Sequence, residues 1–248
     1  GLSPEQTADL VRDLGEAGID FIKDDELQAN GPRCPLRERV AAVMPVIHRL
    51  ANRTGRRIMY AFNITDDLDA MLLRRHDLVE REGGTCVMVS LHSIGLPALL
   101  ELRRRCAVPI HGHRNGWGMY TRHPQLGVDY TAWQKLWRLC GADHLHVNGL
   151  RNKFWEPDAS VIQSIQAVRT PLFRADDTAV PVVSSGQWAG QAPDTWRAAG
   201  TTDLLHVAGG GIMAHPDGPA AGVRSMQQAW DAAVRDSPLD QHARTHEE

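Results

Sequence analysis

Lys23, Asp24, Asp25 and Glu26 stand in an unbroken charged row directly after the apolar run "GIDFI". On a strand, Lys23 and Asp25 point to the same side, and Glu26 follows at the bend. Two hard carboxylates with one further oxygen ligand suit magnesium, which takes oxygen donors and keeps several waters. An ammonium cannot ligate a cation. Lys23 joins such a set only if CO2 converts its amine into an oxygen-donating carbamate; otherwise it is a counter-ion to its neighbours. Two H-x-H pairs, His111/His113 and His144/His146, close two other apolar runs. That spacing also suits a zinc hydrolase, in which two strand-borne histidines share one metal. The plainer alternative turns one histidine of each pair, His111 and His144, into a packed interior. Arg114 beside His113 favours an anion, because a guanidinium grips phosphate in bidentate fashion. Ser184-Ser185-Gly186 and Gly209-Gly210-Gly211 bring backbone N–H groups close to a phosphate, the usual phosphate site of a parallel barrel. Together these loops point to a phosphorylated small molecule.

Positioning such residues requires a scaffold that brings many strand ends together. Strand candidates are "GIDFI", "RIMYAFNI", "TCVMVSLH", "VPIHGH", "DHLHVN", "VPVVSS" and "LLHVAGG", with helical patterns between them. Val40, Val43, Ile47 and Leu50 recur at three- and four-residue steps, one buried helical stripe. Ser3 as N-cap, Pro4 at the first helical position and Gln6 in the capping-box position start an opening helix, which Gly15 or Gly18 ends. Near-continuous apolar strands alternating with helices give a parallel sheet covered on both faces, and the pattern predicts an α/β fold of the (β/α)8 TIM-barrel type. The chain opens on a helix, so strands 2 to 8 are expected within residues 1–248 as one incomplete barrel domain without a second domain, the first strand lying upstream. "SPLDQHARTHEE" begins like a further helix. In such a barrel the site forms at the C-terminal ends of the strands. There the polar residues collect: the 23–26 row, Asn63, Ser90 and His92, His111 to Asn115, His144 to Asn148 with Lys153 beyond, the serine pair and the triple glycine.

The 248 residues are 42% hydrophobic and 23% charged, enough apolar matter for a sizeable core. A net charge of −3 argues against a nucleic-acid footprint, and Arg103-Arg104-Arg105 after "ALLEL" reads as the solvated end of a helix. Cys34, Cys86, Cys106 and Cys140 lack CxxC spacing and are expected as reduced thiols. With neither a membrane-length apolar run nor a signal segment in this sequence, the expectation is a cytoplasmic protein without nucleic-acid or membrane partners.

In this order the motifs resemble the large-subunit family of ribulose-1,5-bisphosphate carboxylase (RuBisCO), over nearly the whole chain. "GIDFIKDDE" is similar to the family's activating-lysine motif. The resemblance implies carbamylated Lys23, Asp25 and Glu26 as ligands of Mg2+, with Asp24 only a neighbour. "HGHR" implies His113 as a proton-transfer group and Arg114 on phosphate. "GADHLHVNGLRNK" implies that His146 contacts substrate and that Lys153 is the lysine of a mobile loop. "PVVSSG" and "VAGGGIMAHPDG" imply Ser184, Ser185, Gly186, Gly209 and Gly210 around substrate and phosphate. Trp117 stands where family carboxylases carry a second histidine, Ser185-Gly186 replaces their Gly-Gly, and Trp188 replaces a later histidine. These departures point away from carboxylation of ribulose bisphosphate and toward a RuBisCO-like protein, most similar to the group acting on 3-oxo-isoapionate 4-phosphate. The implied activity is decarboxylation, or transcarboxylation and hydrolysis, through an enediolate. The implied assembly is a homodimer, or an oligomer of dimers, built through an N-terminal domain outside this chain. Alternatives are an enolase or isomerase of a methylthio-sugar phosphate, a zinc-dependent barrel hydrolase, and a non-catalytic sugar-phosphate binder.

Overall fold

Every strand pairs in parallel with the next in chain order. The computed structural model describes residues 1–244, and the last four residues of "SPLDQHARTHEE" lie outside the described residues. Helix α1 (Pro4–Glu16) precedes β1 (Phe21–Lys23), α2 (Leu36–Thr54) and β2 (Met59–Asn63). Next come α3 (Leu68–Ala70), a π-helical stretch (Met71–His76) and α4 (Asp77–Arg81), leading into β3 (Cys86–Ser90). Helix α5 (Leu91–Arg105) leads to β4 (Ile110–His113), then α6 (Gly118–Thr121), α7 (Tyr130–Leu139) and β5 (His144–His146). The chain continues through α8 (Asp158–Arg169), β6 (Val180–Val183), α9 (Ala192–Ala199) and β7 (Leu205–His206), and ends with α10 (Gly209–Met213), α11 (Pro219–Val234) and α12 (Leu239–Arg244). The sheet order is β1-β2-β3-β4-β5-β6-β7, the curled sheet of a nearly closed barrel, and among the described residues no ladder joins β7 to β1. None of the described helices is long and apolar enough to cross a membrane.

The pleat divides each strand into an outer and an inner set. Outward residues such as Tyr60, Phe62, Val87, Val89, Leu145 and Val183 join helix residues in the main core, including Val40, Val43, Ile47 and Leu50 of the α2 stripe. Inward residues Ala61, Cys86 and Met88 form a small cluster of their own with Phe21 and Met59. The opening helix is capped as expected, by Ser3, Pro4 and Gln6. Gly18, at φ +97°, ends it, whereas Gly15 lies inside the helix where a Cβ would sit 2.5 Å from Leu50. The four cysteines are free thiols, three of them buried.

Two local expectations need correction. The third strand turns into α5 directly after Ser90, whose N–H donates to Thr65 Oγ1 at 2.9 Å, so His92 belongs to a helix and stacks on Tyr120. Of the basic run, Arg104 and Arg105 do pair with Glu101 on the surface. Arg103 instead turns inward to Asp143 at 2.7 Å, and Asp143 also accepts the Ile110 N–H at 2.7 Å. That pair joins the starts of β4 and β5.

Asp24 is more than a neighbour of the site. One residue beyond Lys23, it points outward into the layer under α2, where Arg39 is 1% exposed. Its carboxylate accepts from Arg39 Nη2 at 2.9 Å and Nε at 3.1 Å, Tyr60 Oη at 2.6 Å and the Asn63 N–H at 2.8 Å. Arg39 also donates to the carbonyls of Gln28, Ala29 and Cys34, so it grips the chain between β1 and α2 as well. Removing one partner of a buried pair leaves an uncompensated charge. Arg39→Met is therefore expected to lower stability by about 3–5 kcal/mol in urea unfolding. A loss below about 1 kcal/mol would show that the pair does not anchor the end of β1.

Candidate active site

The register of the ladder decides which polar side chains meet. Ser90 lies opposite His113, and His111 lies opposite both Met88 and His144. Both histidines of each H-x-H pair are therefore on the inward face, two residues apart along their strands. His111 and His144 form the deeper layer against Phe21, with ring centroids 5.2 and 5.9 Å from it. His113 and His146 form the layer above, with ring centroids 4.5 Å apart. A direct Nε2···Nε2 hydrogen bond of 2.8 Å joins His111 to His146, and His146 Nδ1 meets Ser184 Oγ at 3.0 Å. Two neutral rings sharing one proton make such a bond; two imidazoliums cannot. The H-x-H residues are thus tied to one another, and among the described residues they do not form a three-ligand metal cluster.

Lys23 ends β1 on the same inward face. Its Nζ donates to the Asp24 carbonyl at 2.9 Å and lies 3.8 Å from Glu26 Oε2. The same Glu26 oxygen is 3.5 Å from His113 Nε2. Asn63 Nδ2 donates to the carbonyls of Asp25 and Glu26, both at 3.1 Å, and so holds the turn that returns Glu26 over the strand end. Asp25 is exposed and lies beyond the strand, where its Oδ1 accepts the Leu27 N–H at 2.9 Å. Lys23, Glu26 and His113 are thus brought together directly, while Asp25 flanks them and acts on Lys23 through its charge. Burial pulls the Lys23 amine below its ordinary pKa, against the opposing charges of Glu26 and Asp25. That direction favours the neutral amine, the form that adds CO2. A carbamate at Nζ would supply the third oxygen donor, so this set fits magnesium.

Arg114 extends the site toward β6. Its Nη2 donates to Ser185 Oγ, and its guanidinium lies 5.2 Å from the Trp117 ring and 5.1 Å from the Phe154 ring. Ser185 donates to Asn148 Oδ1 at 2.7 Å, Asn148 Nδ2 donates to Glu156, and Glu156 accepts Ser160 Oγ at 2.7 Å. Asn148 and Ser185 both adopt left-handed backbone, at φ 60° and 76°, a conformation that costs a non-glycine residue stability unless its surroundings impose it. The Lys153 N–H donates to the Ser185 carbonyl at 3.3 Å, and its side chain is exposed with Nζ 5.5 Å from the Phe154 ring. Gly186 faces the Lys153 stem, where an added Cβ would come within 3.5 Å. Gly209 and Gly210 start the short helix α10 with open space around them.

Several supporting residues carry no motif. Tyr130 Oη and Gln134 Nε2, one helical turn apart on α7, both donate to the His146 carbonyl. Trp117 stacks on Trp155 at 4.4 Å and 10°, pinning the loop that bears Lys153. Their only sequence signal is placement: Gln134 and Tyr130 share one face of α7, and Arg39 sits on the buried α2 stripe, three residues from Leu36 and four from Val43.

A parallel barrel with a half-buried lysine, carboxylates, imidazoles and an arginine at its C-terminal strand ends belongs to the (β/α)8 class, whose sites form there. More specifically, the chain belongs to the family described as ribulose bisphosphate carboxylase large chain, catalytic domain, whose model matches residues 1–248. It is 58% identical to a 3-oxo-isoapionate-4-phosphate transcarboxylase/hydrolase of Xanthobacter autotrophicus, over 98% of this chain and 59% of that protein. It is 51% identical to a 3-oxo-isoapionate-4-phosphate decarboxylase of Rhizobium rhizogenes, over all of this chain and 59% of that protein. The chain thus spans about three-fifths of the length of these curated relatives. A solved rubisco-like protein from Burkholderia fungorum superposes with a TM-score of 0.95 at 54% identity, covering 99% of this chain and 61% of that one.

The stacked histidines make an acid-sensitive interior. Burial, reinforced by neighbouring positive charges, holds His111, His113 and His146 well below the ordinary histidine value; burial also lowers His144 and brings His206 to about 4. Below the unfolded value of about 6.5 the unfolded chain takes up protons that the folded one refuses, so stability is lost as pH falls. Each such histidine contributes roughly 1.4 kcal/mol per pH unit until its folded value is reached. Urea midpoints are expected to drop steeply between about pH 6.5 and 5, and a flat profile there would contradict the buried neutral assignment.

Proposed function

We propose that the protein containing this chain is a magnesium-dependent RuBisCO-like enzyme that decarboxylates 3-oxo-isoapionate 4-phosphate, or transfers or hydrolyses off its carboxyl carbon. The observation that carries this reading is the half-buried Lys23 amine beside Glu26, with His113 on the same carboxylate oxygen. The names of the two relatives at 51% and 58% identity supply the substrate.

Carbamylated Lys23, Asp25 and Glu26 would hold the ion, which when bound would polarise the substrate carbonyl and offset developing negative charge. The reaction breaks the bond from the carboxylate carbon to its neighbour. CO2 leaves, the electron pair becomes an enediolate, and a proton then adds to carbon. His113 suits that proton transfer. Its Nδ1 accepts the Asn115 N–H at 3.1 Å, so the neutral ring keeps its proton on Nε2, the atom turned toward Glu26. His146, steadied by His111 and Ser184, presents a fixed ring to the substrate. Arg114, held by Ser185 between two aromatic rings, is placed to grip an anionic group, and the Ser184-Ser185-Gly186 turn lies beside it. Lys153, exposed on its loop, is free to approach a carboxylate. Gly209 and Gly210, at the start of α10 with space around them, would admit a phosphate close to backbone. A homodimer in the cytoplasm belongs to the same proposal.

The full-length protein, incubated with Mg2+ and bicarbonate, is expected to convert 3-oxo-isoapionate 4-phosphate with release of its carboxyl carbon, followed by NMR. Lys23→Ala is expected to lower that turnover by about 100-fold or more, the loss associated with removing charge stabilisation from a reacting centre. Turnover of 5-methylthioribulose 1-phosphate alone would replace the proposed substrate, and full activity of Lys23→Ala would overturn the metal assignment.

A further inference from the structure

A second group of metal-ligating side chains lies at the opposite end of the barrel. His76 ends the π-helical stretch, Glu80 is on α4, and Cys106 caps the C-terminus of α5. Glu80 and Cys106 shortly precede β3 and β4, so they sit where strands begin, away from the strand ends that carry Lys23 and His113. One donor atom from each of the three lies within 4.8 Å of the other two, and among the described residues this is the only such group of three.

The histidine is oriented as a ligand would be. His76 is 2% exposed, and its Nδ1 meets Asp77 Oδ1 at 3.1 Å. A carboxylate on Nδ1 is the arrangement found behind metal-bound histidines, where it accepts the Nδ1 proton and frees Nε2 for the metal. Nε2 is buried without a hydrogen-bond partner, although Glu80 Oε1 is only 3.1 Å away. With its proton on Nδ1, the ring would leave a nitrogen lone pair and a carboxylate oxygen side by side, an arrangement that a shared cation reconciles. Zinc bonds of roughly 2.0–2.1 Å at a tetrahedral angle would hold nitrogen and oxygen roughly 3.3 Å apart, close to the separation found. Glu80 Oε1 also accepts the Ala107 N–H at 3.1 Å, which fixes the carboxylate beside Cys106. The Cys106 thiol, 4% exposed, donates to the Val108 carbonyl at 3.2 Å and would exchange that contact for the metal.

We propose that His76, Glu80 and Cys106 bind a zinc ion that fastens α4 to the α5–β4 loop, with water as the fourth ligand. A carboxylate and a thiolate neutralise the dication in this largely buried place. The sulfur ligand selects zinc over magnesium, so the site is chemically separate from the oxygen set around Lys23.

Cobalt(II) reports directly on sulfur ligation. Added to the chelator-stripped full-length protein, it is expected to give a near-ultraviolet thiolate-to-cobalt charge-transfer band that saturates at one ion per chain and disappears on adding zinc. Cys106→Ser is expected to abolish the band. Asp77→Asn, which leaves all three ligands in place, is expected to keep the band and weaken cobalt binding about tenfold. No band in the parent protein, or a band undiminished in Cys106→Ser, overturns the proposal and leaves His76 and Glu80 as an ordinary ion pair. Should Cys106→Ser fail to fold, His76→Gln carries the test: a band of unchanged affinity in that variant overturns the proposal equally.

Discussion

The geometry of the site depends on the buried contact between Asp24 and Arg39. Strand alternation sends Lys23 into the barrel and Asp24 out of it, and the two consequences cannot be separated. With Asp24 held by Arg39, Tyr60 and the Asn63 backbone, the end of β1 cannot slip by one residue without burying Lys23 among the helices. The guanidinium also gathers the carbonyls of residues 28, 29 and 34, so the turn that brings Glu26 back over His113 is held at both ends. A buried ion pair is weak evidence of net stability, since desolvation offsets much of the attraction. Its contribution here is to register: it decides which of four consecutive charges face the barrel.

Inside the barrel polarity rises from one end to the other. Phe21, Met59, Ala61, Cys86 and Met88 fill the lower part, and His111 with His144 lies against Phe21. His113, His146, Ser184 and Lys23 stand above. Each buried ring borders another ring or hydroxyl, which keeps the layer uncharged and lets it pack as a core does. Lys23 and Glu26 stand where this interior meets the mouth. On the far side, the chain of hydrogen bonds from Glu156 through Asn148 and Ser185 to Arg114 couples the loops after β5 and β6. The Trp117–Trp155 stack adds an apolar tie to the same loop. Two left-handed non-glycine residues, Asn148 and Ser185, are imposed by that network.

Much of this was legible in the sequence. The alternation of apolar runs and helical stripes predicts seven parallel strands, and all seven form in chain order. The clustering of polar residues at strand ends places Lys23, Glu26, His113, His146 and Ser184 along one line of contacts, with Arg114 beside it on Ser185. The less legible parts are those decided by partners distant in the chain. Asp24 looked idle because Arg39 and Tyr60, 15 and 36 residues away, give it its role. Arg39 on an apolar stripe was the available signal, since a charge on a buried face requires a counter-charge. The run "TCVMVSLH" places His92 at a strand end because an apolar run does not show where a strand yields to a helix; the Thr65 hydroxyl bonding Ser90 does that. Asp25, placed with Lys23 by strand periodicity, lies past the strand because the chain has already entered the turn.

Burial favours the neutral Lys23 amine, the form that adds CO2, beside the Glu26 carboxylate. The most direct measurement is 13C NMR of the full-length protein under 13C-labelled bicarbonate and Mg2+. One protein-bound carbamate resonance is expected, retained in Lys153→Met and absent from Lys23→Ala. A spectrum with no carbamate at saturating CO2, or a resonance that survives in Lys23→Ala, would rule out carbamylation of Lys23.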